Sequence, residues 1–380
     1  MMTITAPDRR SDETIIASLT DDPGTNPMAL GCAPCHLRPT CGGLCVATSI
    51  IDCLDLCCGI PGNCSRVCRN RPAAYVEQLR EIDGFDLHNI DRAPVRPVQL
   101  VSKIVPLVYH GSSRANVLAH DAFALRLPDL INFKLGTLRF ASRALLCAAY
   151  RIKPEAQIIL TGVNLDHKIE PWWSLGERRI PLIRALANIG IALVTSPNFS
   201  VVLDQPRTDD MHAIKRIGIV FAEFLNNGLP CALHPNGRTD RDFERWAEFI
   251  AARPEVTVLA YEFITGPGRK SRTPFHLSRL ADLARAAGRE LDIVVRGHPG
   301  VIPNLRQHYR NVIYIETTAF MKSVKRQKAV RYGNRDLQFA PHSTESTAQV
   351  DALFTHNLSE RIALIGDQYY DENLHSSEAA

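Results

Sequence analysis

From about position 98 onward the chain repeats one pattern: a short β-rich run ends in polar residues, and an amphipathic helix follows. That grammar constrains the fold more than any other feature, because strands alternating with helices call for parallel pairing with helical crossovers. The expected strands are Val101–Tyr109, Gln157–Thr161, Ile191–Thr195, Pro230–His234, Val256–Phe263, Leu291–Arg296 and Val312–Glu316, with one more near Ala122–Leu127. Ile214, Ile217, Phe221 and Phe224 recur at helical spacing, as do Phe243, Trp246 and Ile250 behind a Thr239-x-x-Asp242 capping signature. Thr273-Pro274 opens a further helix and Gly288 closes it. Eight such units over about 240 residues match the size of a (β/α)8 barrel. A doubly wound sheet is the alternative, but its first strand normally runs into G-x-G-x-x-G. Here that turn reads His110-Gly111-Ser112-Ser113-Arg114, so the expected class is α/β with a (β/α)8 TIM-like barrel.

Ahead of that body lies a separate cluster. Nine of the eleven cysteines fall between Cys32 and Cys68, as Cys32, Cys35, Cys41, Cys45, Cys53, Cys57, Cys58, Cys64 and Cys68. The N-terminus has no apolar stretch after its arginines, so no export is expected and the protein is read as cytoplasmic. Thiols so closely spaced in that setting point to metal ligation rather than disulfides. Only Cys32/Cys35 has the C-x2-C spacing of a zinc knuckle, whereas iron–sulfur clusters accept the irregular intervals seen here. An iron–sulfur cluster is preferred and zinc is the alternative. The organisation expected is a flexible stretch over 1–30, the cysteine module over 31–95, the barrel over 96–335 and a C-terminal tail over 336–380, forming a helix or two against the barrel.

A hydrophobic fraction of 45% and a charged fraction of 22% are ordinary for a globular protein, and no apolar run is long enough to cross a membrane. The net charge of +4 says little, but its distribution says more. Lys322, Lys325, Arg326, Lys328, Arg331 and Arg335 form one basic run, and Arg66, Arg69 and Arg71 close the cysteine module. Such patches suit a phosphate backbone, although each alone is also what a solvated surface looks like.

In a barrel, chemistry sits where the strands end. The polar residues at those ends are His110; Thr161, Asn164 and Asp166; Ser196, Asn198 and Asp204; His234 and Asn236; Glu262 and Thr265; Arg296 and His298; and Glu316. Trp172 and Trp173, just past Asp166, either sandwich a planar ring or pack their loop onto the barrel. Arg207, Lys215 and Arg216 follow Asp204 and are candidates for phosphate contact. Glu262 ends an apolar strand, where burial raises a carboxyl's pKa and equips it for general acid or base work. A salt bridge to Arg296 is a compatible alternative.

Four segments carry a resemblance: Gly162–Asn164 (G-x-N), Ser196–Ser200 (SPNFS), Asp204–Arg207 (D-x-P-R) and Tyr261–Gly266 (Y-E-F-x-T-G). Over about residues 155–270 the series resembles a family of barrel proteins from bacteria and phages that is known chiefly as an uncharacterised domain. Its architecture is similar to that of tRNA-guanine transglycosylases and their DNA-modifying relatives. The resemblance implies rim aspartates, one attacking the sugar C1′ and one shuttling a proton. It also implies a phage-defence branch, DNA glycosylases that remove bulky modified cytosines. Two departures stand out: those transglycosylases carry a C-terminal C-x-C-x2-C zinc site, and their nucleophile motif is not visible here. Asp166 and Asp204 are therefore assigned to the sugar from position alone, with Glu262 as accessory acid. Asn164, Asn198, Trp172 and Trp173 are assigned to the base, and Arg207, Arg296, His298, Lys215 and Arg216 to phosphate. The expected partner is nucleic acid, DNA before RNA, with no membrane and no nucleotide cofactor. A base-exchanging transglycosylase is the nearest alternative. Another is a metal hydrolase with His110, His234, His298, Asp166 and Glu262 around one ion; the last is a nucleic-acid-binding adaptor without catalysis.

Overall fold

The computed structural model describes residues 80–201, 207–333 and 336–370. All nine clustered cysteines, Asp204 and Arg335 lie outside the described residues. The strands are β1 (Ile104–Pro106), β2 (Ala122–Arg126), β3 (Ile131–Asn132), β4 (Thr137–Leu138), β5 (Gln157–Thr161), β6 (Leu193–Thr195) and β7 (Cys231–Ala232). They continue as β8 (Val258–Phe263), β9 (Asp292–Gly297), β10 (Asn311–Glu316), β11 (Gln327–Tyr332) and β12 (Asp336–Pro341). The helices are α1 (Arg143–Tyr150), α2 (Asp166–Ser174), α3 (Arg179–Asn188), α4 (Arg207–Asn226), α5 (Asp240–Ala251), α6 (Thr273–Ala287), α7 (Ile302–Leu305), α8 (Thr318–Val324) and α9 (Thr347–Ile365).

This is a mixed α/β architecture with parallel sheets, as the strand–helix grammar requires. Two four-stranded sheets, β1-β10-β9-β8 and β2-β5-β6-β7, have every pairing parallel, while β3-β4 and β11-β12 form antiparallel two-stranded sheets. Parallel bridges Leu107↔Ala124 and Leu233↔Leu259 join β1 to β2 and β7 to β8, so each of the eight parallel strands has a neighbour on both sides.

The period-two alternation of side chains along a strand sorts residues into two clusters. On β8, Leu259, Tyr261 and Phe263 belong to the large cluster packed with the helices, while Val258 and Ala260 belong to a second one. That second cluster draws from all eight strands, with Val105, Ala124, Ile159, Leu193, Ala232, Ala260, Val294 and Ile313 among its members. Continuing the alternation puts Glu262, Arg296, Arg126, Thr161 and Thr195 on the same strand face as that second cluster, one step beyond its apolar residues.

Local signals behave as their chemistry demands. The capping box closes on α5, with Asp242 N–H donating to Thr239 Oγ1 at 3.3 Å and Thr239 N–H to Asp242 Oδ2 at 3.0 Å. Ile214, Ile217, Phe221 and Phe224 are all buried on α4, and Gly288 ends α6 with φ 62°.

Two domain boundaries fall differently from expectation. Residues 80–95 are not separate from the body: Arg92, Ala93 and the carbonyls of Ile90 and Asp91 are held by Glu255 and Arg253. At the other end, β11 pairs antiparallel with β12, so position 335/336 lies within one hairpin. After it, α9 packs on α8 and β11, its Asn357 bonding Ala329 N–H at 2.7 Å. The hairpin escaped the sequence reading because its apolar residues are few and alternate with charges. Among the described residues, no helix is long and apolar enough to cross a membrane.

Candidate active site

Glu262 and Arg296 are register partners on β8 and β9, and their side chains stand 4.0 Å apart with 12% and 16% exposure. Burial raises the Glu262 pKa above its ordinary value of 4.5, and the Arg296 charge only partly offsets that shift. The loose spacing matters. Two of this protein's arginine–carboxylate pairs make two short bonds each: Arg179 to Glu223 at 2.7 and 2.8 Å, and Arg310 to Asp292 at 2.8 and 2.9 Å. The Glu262–Arg296 contact is not of that kind.

Close chain approaches fix the ends of these strands. A Cβ on Gly162 would come within 2.4 Å of the Thr195 carbonyl oxygen, so the turn after β5 passes β6 at a distance only glycine allows. Gly297, at φ 122°, passes the Phe263 carbonyl equally closely just beyond Glu262 and Arg296. Hydroxyls complete the fixing: Gly162 N–H donates to Thr195 Oγ1 at 2.9 Å, and His234 N–H to Ser196 Oγ at 2.9 Å.

The loops that follow β5, β6 and β7 carry further predicted residues, and Arg296 Nη1 reaches the first of these loops at the Val163 carbonyl, 3.4 Å away. Asp166 begins α2 and is exposed, with its Oδ1 accepting from Ser200 Oγ at 2.6 Å. Asn198 Oδ1 accepts from Asn236 Nδ2 at 2.7 Å, so the loops after β6 and β7 present one linked amide pair. Asn164 is half-buried and its Oδ1 accepts from Leu165 N–H at 2.9 Å.

Other predicted residues are used differently. Trp172 is 1% exposed and stacks on Phe224 at 5.4 Å, so the packing alternative describes it and no ring can be sandwiched there. Trp173 is also committed: its Nε1 donates to Glu81 at 2.7 Å and the guanidiniums of Arg179 and Arg216 lie over its ring. Lys215 is buried, its ammonium held by the Asp86 carbonyl and Asn89, and burial lowers its pKa to about 8. Arg216 makes a two-bonded pair with Glu170 at 2.7 and 3.2 Å and faces the Phe199 ring. Both cations therefore face inward, away from any phosphate backbone. The spacing that placed them after Asp204 also puts them on the inner side of α4, which sequence position alone does not distinguish. His298 accepts from Gly300 N–H at 3.0 Å, and Glu316 caps α8 through Thr318 and Ala319 N–H while pairing with Arg361. Arg207 begins α4.

His234 is buried with neither ring nitrogen hydrogen-bonded, stacked on Tyr261 at 5.3 Å, and burial lowers its pKa to about 3. Tyr261 in turn bonds His276 Nδ1 at 2.7 Å. Among the described residues, no three His, Cys, Asp or Glu side chains come together as a metal-binding group. A charged residue on the same strand face as Glu262 and Arg296 that the strand-end pattern does not single out is Arg126, which ends β2, pairs with Asp129 and lies 4.8 Å from the Tyr109 ring. The signal was available, as a charge ending an otherwise apolar run before Pro128.

The role of Trp172 is open to a direct check. Trp172→Ala is expected to cost about 3–5 kcal/mol of stability, the usual result of emptying a large aromatic site. Thermal unfolding measures it. A variant with unchanged Tm and lost activity would return Trp172 to the substrate.

Compared with known proteins, the chain matches no family model and no curated sequence.

Proposed function

We propose that this protein is a nucleic-acid base-processing enzyme, a DNA glycosylase that excises a modified base at the mouth of a (β/α)8-like barrel. The barrel reading is supported by eight parallel strands that each have two neighbours and by an inner cluster fed by all of them. The functional reading is carried by one observation: a half-buried carboxyl with raised pKa, Glu262, loosely opposed by Arg296 where the strands end.

Cleaving an N-glycosidic bond builds positive charge on the sugar and negative charge on the departing base. A carboxylate stabilises or traps the sugar, and an acid supplies the base with a proton. Glu262 suits the second task, because its raised pKa keeps a larger protonated fraction near neutral pH. Asp166, exposed and oriented by Ser200, suits the first, with Asp204 as the other candidate. The Asn198–Asn236 pair and Asn164 would meet the base edge, and Arg296 a backbone phosphate. Lys215, Arg216, Trp172 and Trp173 drop out of the proposed site. The cysteine module is retained as the seat of an iron–sulfur cluster, with zinc as the alternative.

The test is base release. Purified protein is incubated with plain DNA, hydroxymethylated and glucosylated phage DNA, and tRNA, and freed bases are identified by mass spectrometry. Release from modified DNA that leaves abasic sites, and that is lost in Asp166→Asn, is expected. Exchange of a base without abasic sites would make it a transglycosylase, and no release from any member would overturn the proposal.

A further inference from the structure

Arg296 is under-used. In the strand order β1-β2-β5-β6-β7-β8-β9-β10, β9 stands four places from β5, yet Arg296 Nη1 reaches the Val163 carbonyl just past β5, at 3.4 Å. Its guanidinium thus crosses the proposed barrel mouth. That long bond is its one hydrogen bond among the described residues, and its Nε is buried without a partner. A guanidinium carries five donors, and a donor left unmet in a buried place is destabilising. Beside it, at 4.0 Å, stands Glu262.

We propose that Arg296 and Glu262 form a proton-coupled anion subsite: a phosphate group captured by Arg296 drives proton uptake by Glu262. The inference rests on the barrel and on Glu262 as the site's acid, but not on glycosidic chemistry.

The coupling is electrostatic. The Arg296 charge favours the ionised form of Glu262 against burial, and it is the charge that acts on that carboxyl. From the strand on the other side, His234 is buried and neutral. A tetrahedral anion on Arg296 cancels the favourable charge and adds a repulsive one, so the carboxyl takes a proton from solvent. No bond to the anion is made or broken. By linkage, an anion that raises the Glu262 pKa must bind more tightly where protons are abundant. In a base-excising enzyme this would protonate the acid only when a phosphate is in place.

Sulfate is the probe, because it holds no proton of its own near neutral pH and any proton taken up belongs to the protein. Its affinity for the full-length protein is measured by calorimetric titration at about pH 5.5 and about pH 7.5. The wild type is expected to bind at least about tenfold more tightly at the lower pH. Glu262→Gln, which cannot ionise, should bind equally at both, and Arg296→Gln should lose binding. An equal pH dependence in Glu262→Gln would assign the linkage to groups other than Glu262 and would overturn the proposal. So would undiminished binding by an Arg296→Gln protein that unfolds at the wild-type temperature. Competition by a short single-stranded DNA would identify a backbone phosphate as the natural occupant, and competition by inorganic phosphate alone would identify a free one. Proton-linked sulfate binding without base release would leave the subsite standing and remove the glycosylase, and the reverse outcome would do the opposite.

Discussion

Glu262→Gln is expected to lower base release by about two to four powers of ten while raising the Tm near neutral pH. The two halves have one cause. Burial lifts the folded-state pKa of Glu262 above its ordinary 4.5, so near neutral pH the folded protein either carries a buried charge or holds a proton against the solvent. A group whose pKa is raised on folding stabilises the fold at low pH, and that contribution is lost as pH rises through the folded value. Glutamine keeps the shape and removes the penalty. The gain in Tm should therefore be present at pH 7–8 and vanish below the ordinary carboxylate range. Activity in the wild type should likewise fall as pH rises through the Glu262 value. Thermal melts across pH and the base-release assay check both halves. If Glu262 and Arg296 were only a structural pair, the substitution would destabilise, because it would leave Arg296 buried and unpaired. A joint loss of stability and activity would remove Glu262 from the acid's role.

The same two residues show what the sequence made legible. Val258-Leu-Ala-Tyr-Glu-Phe263 alternates as a strand buried on both faces, so its two carboxylate oxygens had to lie near an apolar interior; β5 was legible to the residue for the same reason. The strand near Ala122 was also legible from composition. What was not legible was direction around a helix. Trp172, Lys215 and Arg216 share polar or aromatic surroundings in the sequence with Asp166 and Asp204, but α2 and α4 turn them toward Phe224, Asp86 and Glu170. Nor could the sequence reveal partners far away along the chain. Ser200 holding Asp166, and Asn236 holding Asn198, become visible only once β5, β6 and β7 lie side by side.

Glu255 is the extreme case of a distant partnership, and removing it should cost as much stability as emptying the Trp172 site. Its side chain is 1% exposed. It accepts two 2.8 Å bonds from Arg92 and a 3.3 Å bond from Arg253, which is itself 4% exposed. Arg253 also holds the Ile90 and Asp91 carbonyls, and Arg289 closes the network on the carbonyls of Ile250, Arg253 and Val256. Most of Arg92 faces water, so the energy of its two bonds is discounted for screening, and the buried charge of Arg253 decides the larger part of the outcome. Glu255→Ala would leave that charge unpaired, at a cost of about 3–5 kcal/mol, or roughly 4–8 °C in Tm for a chain of this length. Amide exchange should rise first at residues 88–93, where the network clamps the chain. The pH signature is opposite to that of Glu262. Burial pushes the Glu255 pKa up, but the Arg92 hydrogen bonds, with backbone N–H groups and nearby charge, outweigh it and hold the carboxyl below 4.5. Its stabilisation is therefore complete above the ordinary carboxylate range and lost as pH falls through the depressed folded value. The Tm gap between wild type and Glu255→Ala should narrow in acid, whereas the gap for Glu262→Gln should open toward neutral pH. That sign separates Glu255, a carboxylate that clamps the fold, from Glu262, the carboxyl proposed for chemistry, before any substrate is known.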